Sequence, residues 1–296
     1  MNRHSAASIR ARLKNHADAT RQDFNQILTR YGLERLLYRV SVSPHAQNFL
    51  LKGALLFALW FDAPHRPTRD ADLLGFGSDD PGAIAAMFRE ICAIEADDGI
   101  AFDPATVRAS EIRTTANYGG VRVELNATLA GARLALQVDI GFGDVVTPDA
   151  HEIVYPTLLA DMPAPHLRVY PRETAFAEKL EAVVQLGLPN SRMKDYFDLL
   201  TLARENAMAT AVLAQAIAAT FARRGTPLPT SLPIGLTEAF AHDPAKQTQW
   251  HAFLRKSRLT APDLAEVVAE LAAFAKTPMT RALALGAIPE AKKPPI

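Results

Sequence analysis

The most constraining stretch of this 296-residue sequence runs from residue 121 to residue 140. Val121, Val123, Leu125 and Leu129 alternate with Arg122, Glu124, Asn126 and Thr128, and after Ala130-Gly131 a second run sets Leu134, Leu136, Val138 and Ile140 on one face. A period of two with one apolar side marks half-buried strands, and a short glycine-containing break between two such runs predicts a hairpin. An apolar sheet face needs a covering layer, and the rest of the chain offers helices. Phe24, Ile27, Leu28 and Tyr31 recur at helical spacing, and the segments 81–94, 173–186, 192–206, 209–224, 237–241, 245–259 and 262–274 read the same way. The predicted class is α+β, with a mixed sheet, N-terminal helices and a helical C-terminal domain.

Two more sheet segments precede the hairpin. Residues 48–53, Asn-Phe-Leu-Leu-Lys-Gly, read as a short buried strand ending in a glycine turn, followed by an apolar helix over 54–61. Pro64 and Pro67 mark a loop, and residues 68–75, closed by Gly75 and Gly77, read as another strand. The expected organisation is N-terminal helices over 1–45, a core over 46–170, a helical domain over 171–288 and a disordered tail over 289–296. Basic and acidic residues balance at 32 each, so no global field announces nucleic acid or a membrane, although a local basic patch stays open. The lone Cys92 excludes an internal disulfide, no leader pattern opens the sequence, and the longest uncharged apolar stretch falls far short of the ~20 residues that span a bilayer. A reducing cytoplasm and no membrane partner are expected.

The chemistry concentrates in Arg69-Asp70-Ala71-Asp72-Leu73. On a strand, residues i and i+2 share a face, so Asp70 and Asp72 project side by side while Ala71 and Leu73 turn to the core. Two carboxylates about 4–5 Å apart repel by about 3–4 kcal/mol at an effective dielectric of ~20, so the pair needs a cation, a shared proton or good solvation. Asp139 shares the polar side of the hairpin with Gln137, which makes a third acid available. Three hard oxygen ligands suit Mg²⁺, which takes its remaining ligands from water and substrate phosphates, and two such ions can clamp an in-line displacement, so the implied reaction is phosphoryl or nucleotidyl transfer. Backbone N–H groups of the turn Lys52-Gly53-Ala54 are candidates to hold the phosphates. Asp-x-Asp also occurs in solvated loops and helix caps; the order of glycine turn, Asp-x-Asp and later acid is what favours chemistry.

A second constellation follows. Lys179 borders the apolar stripe of Phe176, Leu180 and Val183, where phosphate, neighbouring glutamates or simple snorkelling could each satisfy it. Asp195 and Asp198 are three apart at the start of the next helix, where acids are usually macrodipole or capping residues, yet Asp195 could also orient Lys179 or act as a base. Arg223-Arg224 and Arg255-Lys256-Ser257-Arg258 are short basic clusters, either solvated faces or an RNA surface.

With these residues in view the chain resembles the AbiEii/AbiGii toxin family of nucleotidyltransferases, which includes the mycobacterial MenT toxins. The resemblance is carried by Phe49-Leu50-Leu51-Lys52-Gly53-Ala54-Leu55-Leu56-Phe57, by Arg66-Pro67-Thr68-Arg69-Asp70-Ala71-Asp72-Leu73-Leu74, by Glu178-Lys179-Leu180 and by Ser191-Arg192-Met193-Lys194-Asp195-Tyr196-Phe197-Asp198-Leu199. It implies a polymerase β-like core followed by a helical domain, with the active site in the cleft between them. It matches Asp70 and Asp72 to the metal-binding pair, Lys179 to the lysine facing the nucleotide and Asp195 to the acid of the last motif, with Asp198 close by; Arg69, beside Asp70, is an additional candidate. It further implies nucleotide transfer, in some members to the 3′ acceptor end of tRNA, and neutralisation by a cognate antitoxin. One departure is Gly53-Ala54, where many nucleotidyltransferases carry Gly-Ser or Gly-Gly, so no side-chain hydroxyl meets phosphate there. Two readings follow: a Mg²⁺-dependent transferase acting on RNA, a protein hydroxyl or a small molecule, and a catalytically silent nucleotide-binding module.

Overall fold

A computed structural model describes residues 5–61, 66–112, 119–205 and 207–286. Pro64, Asn206 and the expected tail at 289–296 lie outside the described residues. The chain divides into two compact units, Met1–Gly143 with Ala150–Tyr170, and Asp144–Asp149 with Pro171–Ile296.

The first unit is built on seven described strands: β1 (Phe49–Lys52), β2 (Asp70–Gly75), β3 (Ile100–Ile112), β4 (Gly120–Leu129), β5 (Ala132–Phe142), β6 (His151–Val154) and β7 (His166–Val169). They form one mixed sheet in the order β3-β4-β5-β2-β1-β7-β6. The expected hairpin is β4–β5. Ala130 and Gly131 both take positive φ, 46° and 79°, the two-residue turn whose twist suits antiparallel neighbours. Leu134, Leu136, Val138 and Ile140 are buried, and Gln137 and Asp139 lie on the other face.

The helices α1 (Ala6–Thr20), α2 (Phe24–Val42) and α4 (Pro81–Ala93) belong to this unit. Gly32 of α2 lies where an added Cβ would meet the Leu136 side chain at 3.0 Å, so the helix axis can approach the apolar face of β5 closely. On the same face Phe88 of α4 meets Phe49 edge to face at 5.7 Å. Arg39 is buried but fully engaged: it forks Asp98 at 2.7 and 3.2 Å and donates to the Ile94 carbonyl at 2.9 Å. A buried charge is tolerated only with such pairing.

Three strands escape the periodicity argument. β3 contains Pro104 and a register break between Asp103 and Arg108, which shifts the alternation midway. β6 and β7 are four residues each, too short for a pattern to register. The helix expected over 54–61 is a correction: Gly53–Leu56 is a 3₁₀ turn, and only Phe57–Trp60 is α-helical, as α3. Gly53, at φ 73°, turns the chain out of β1 into the tighter winding.

The second unit holds α5 (Arg172–Leu186), α6 (Met193–Arg204), α7 (Thr210–Arg224), α8 (Glu238–Ala241), α9 (Pro244–Ser257) and α10 (Leu264–Gly286). The segment 144–149 is tied into it where Thr147 N donates to Thr174 Oγ1 at 2.9 Å and Thr174 Oγ1 donates to the Thr147 carbonyl at 2.8 Å. α10 runs well past the expected end at 274, straight through Pro278. An interior proline costs about 3 kcal/mol. Leu271, Ala275, Pro278, Met279 and Ala282 are all buried at helical spacing, and that continuous apolar stripe outweighs the lost hydrogen bond.

Candidate active site

Sheet register sets the first constellation. Lys52 pairs with Asp72 across β1–β2, Asp72 with Asp139 across β2–β5, and Asp139 with Arg122 across β5–β4. Directly paired residues point to the same side of a sheet, so Lys52, Asp72, Asp139 and Arg122 form one row over four adjacent strands. Asp70 lies two residues back on β2, paired with Gln137. Ala71 and Leu73 turn into the core at 1% and 2% exposure, while Asp70 and Asp72 remain half-buried. The row reads cation, acid, acid, cation.

Each member is held. Thr68 Oγ1 donates to Asp70 Oδ1 at 2.6 Å. Arg122 forks Asp139 through Nε and Nη2, both at 2.8 Å, and Gln137 Nε2 donates to the same carboxylate at 3.1 Å. That fork, with further attraction from Glu124 and Asp70, raises the Arg122 guanidinium above its ordinary pKa. The Lys52 ammonium lies 5.4 Å from the centre of the Tyr170 ring. Gly53 explains itself here: an added Cβ would fall 1.9 Å from Asp72 Oδ2, so the turn after β1 must be glycine for Asp72 to occupy its position. Ala54 is buried and Arg69 exposed.

Among the described residues no three His, Cys, Asp or Glu side chains converge closely enough to hold a metal ion. Asp70, Asp72 and Asp139 share a face, but Arg122 keeps the third of them. The donor set itself, hard carboxylate oxygens side by side on a half-buried face, fits Mg²⁺.

The second constellation belongs to the other unit. Lys179 of α5 pairs with Asp195 at 2.9 Å and Asp198 at 2.7 Å, both on α6, and Arg192 pairs with Asp195 at 2.6 Å. Asp195 and Asp198 are fully buried. Burial pushes the Asp195 carboxyl up, yet Lys179 and Arg192 outweigh it and hold the group below the ordinary carboxylate range. The pairing of Lys179 with Asp195 is the orienting contact open for that acid, and Asp198 joins it.

Arg122 and Arg192 are the partners that the sequence reading missed. Arg224, read there as part of a basic surface cluster, is instead a correction. Its side chain is 17% exposed and pairs with Asp144 at 3.1 Å, Glu178 at 3.3 Å and Glu181 at 2.9 Å. Three carboxylates around one guanidinium bind α7 to α5 and leave Arg224 committed internally. Arg255, Lys256 and Arg258 are exposed.

Residues 35–276 match the family model described as nucleotidyl transferase AbiEii toxin, type IV toxin–antitoxin system. No curated protein matches the chain. Among solved structures, JHP933 from Helicobacter pylori is 16% identical with a TM-score of 0.47, over 86% of this chain and 92% of that one. An antigenic nucleotidyltransferase-like protein from Paracoccidioides brasiliensis is 14% identical with a TM-score of 0.36, over 79% and 91%. Likenesses this distant carry no activity across. No described helix is long and apolar enough to cross a membrane.

Proposed function

This chain belongs to the AbiEii nucleotidyltransferase toxin family of type IV toxin–antitoxin systems, and from that premise we propose that it transfers a nucleotide from an NTP to an RNA acceptor, the 3′ end of tRNA, with Mg²⁺ as cofactor. In this reading it acts in the cytoplasm, and a cognate antitoxin protein restrains it. The observation that carries the reading is the acidic row: Asp70 and Asp72 share a face, with Asp139 in register beside Asp72 and Lys52 on its other side.

Asp70 and Asp72 would hold the metal, with Asp139 as the third candidate ligand. When bound, Mg²⁺ supplies positive charge to the phosphates of the NTP during an in-line displacement. Thr68 fixes Asp70 by its 2.6 Å hydrogen bond, so the carboxylate keeps one orientation. Lys52 adds a point charge for the triphosphate, a role that the compact, strongly hydrated lysine ammonium commonly takes. Gly53 keeps the space that the Asp72 carboxylate needs. Lys179 is assigned to the nucleotide as well, and Asp195 and Asp198 fix its ammonium. Blocking the tRNA 3′ end would stop aminoacylation, which accounts for a toxin.

The test incubates purified protein with each labelled NTP, Mg²⁺ and total tRNA, beside Asp70→Ala. Label on tRNA from the wild type alone is the expected result. Label on protein or in the small-molecule fraction would replace the acceptor. Mg²⁺-dependent nucleotide binding without transfer to any fraction would leave the silent module as the reading.

A further inference from the structure

Asp139 stands directly beside Asp72, yet both of its oxygens are engaged by Arg122. A forked arginine–carboxylate pair is among the stronger side-chain hydrogen-bonded arrangements, and its two parallel bonds fix the carboxylate plane. Gln137 adds a third donor to the same group. A carboxylate so engaged is a poor metal ligand, which agrees with the lack of any converging acid triad among the described residues. Arg122 is nevertheless 40% exposed, so its long side chain has solvent to move into, whereas Asp139 at 20% is held by its strand. Glu124 and Asp70 also act on the Arg122 guanidinium. This arginine therefore faces Asp70 and Glu124 as well as its forked partner Asp139.

We infer that Arg122 is a positioning residue that holds Asp139 in reserve, and that a divalent cation arriving at Asp70 and Asp72 recruits Asp139 by displacing it from Arg122. The inference rests on the proposed reading of Asp70 and Asp72 as metal ligands. The exchange conserves pairing: a +2 ion replaces a +1 guanidinium at the acidic row, and the released arginine, which keeps its proton at any physiological pH, is solvated. Apparent metal affinity is then the intrinsic affinity reduced by the work of opening the fork. Arg122→Met removes that work.

Mn²⁺ binding to the full chain, followed by titration calorimetry at fixed ionic strength, tests this without any turnover. The expected result is binding about three- to fivefold tighter in Arg122→Met than in the wild type, the factor that corresponds to one partly exposed ion pair. Arg122→Lys, which keeps the charge but loses the fork, falls between the two and carries the test if the methionine variant does not fold. In an Asp139→Asn background the gain from Arg122→Met disappears, because no carboxylate remains to release. Equal affinities with and without Arg122 overturn the inference. A gain that persists in Asp139→Asn also overturns it, since Arg122 would then act only as a background charge. Loss of Mn²⁺ binding in Asp72→Asn keeps the underlying metal reading standing in either case; binding indifferent to Asp72→Asn sinks that reading itself.

Discussion

Asp72 and Asp195 are both aspartates set among other charges, but they sit in opposite environments. Asp72 lies half-buried on the polar face of a sheet, in a row with Lys52, Asp139 and Arg122. Asp195 is fully buried between two helices, with Lys179 and Arg192 against it and Asp198 on the same lysine. The sheet row keeps acids at a face where solvent or a ligand can reach them. In the helix cluster the two aspartates are out of water, so each of them depends on the cations against it. Stability should therefore follow the helix cluster most strongly, and divalent-cation binding the sheet row.

The largest expected effect breaks or confirms that division. Lys179→Met leaves Asp195 and Asp198 buried together without their shared cation, and breaking a buried pair costs about 3–5 kcal/mol. Asp72→Asn, by contrast, relieves repulsion within an acidic row and leaves the urea midpoint close to that of the wild type, while transfer falls by about 10²–10³, the scale seen when one preorganised electrostatic group is lost. Urea unfolding and the labelled-NTP assay on both variants measure this. A fully stable Lys179→Met, or an Asp72→Asn that unfolds, would dissolve the distinction between the two regions.

A smaller effect concerns acid. Lys179 and Arg192 hold the folded Asp195 carboxyl below its ordinary range against the upward push of burial. A carboxylate whose folded pKa lies below its unfolded value contributes stability that is complete above the unfolded value, near 3.9, and is lost as pH falls through the folded one. Wild-type stability should thus decline steeply on the acid side of about pH 4, and Asp195→Asn should show a shallower decline from a lower starting point. Unfolding free energies measured between neutral pH and the acid limb give both slopes; parallel curves would mean that Asp195 carries no such linkage.

Much of the sheet row can be read from the sequence, including the Arg122 partner that was overlooked. The two-residue turn at Ala130-Gly131 fixes the hairpin register, and counting outward from it pairs Arg122 with Asp139. The alternation of polar and apolar residues then puts both on the same face as Gln137. The Asp70–Asp72 pair followed from the period of two, as did the burial of Ala71 and Leu73. What could not be counted was β2 lying between β1 and β5, because a parallel pairing joins segments far apart in sequence and leaves no turn from which to count. β3 was hidden by Pro104 and its register break. In the helical unit, periodicity identified α5, α6 and α7 but could not say that Lys179 meets Asp195 and Asp198, since that contact depends on how two helices cross. Arg224 misled for the same reason: beside Arg223 it looks like a surface charge, and only the packing of α7 on α5 commits it to Asp144, Glu178 and Glu181.

The smallest expected effect comes from a third kind of charge, neither in the row nor in the buried cluster. Arg255 and Lys256 close the last turn of α9 and are exposed. Cations there favour the negative end of the helix dipole, and among the described residues neither forms an ion pair with a buried carboxylate. If they touch tRNA phosphates, each contact releases counterions, and the slope of log affinity against log salt should fall by about 0.7–0.9 per neutralised contact. Arg255→Gln with Lys256→Gln, titrated with tRNA at several salt concentrations, should therefore bind more weakly and less steeply than the wild type, with an unchanged melting temperature. An unchanged slope makes the pair a solvated helix end and moves the search for the acceptor surface elsewhere; a lowered melting temperature would show that even exposed charges in this unit serve its packing, so that function and stability are divided less cleanly than Asp72 and Asp195 suggest.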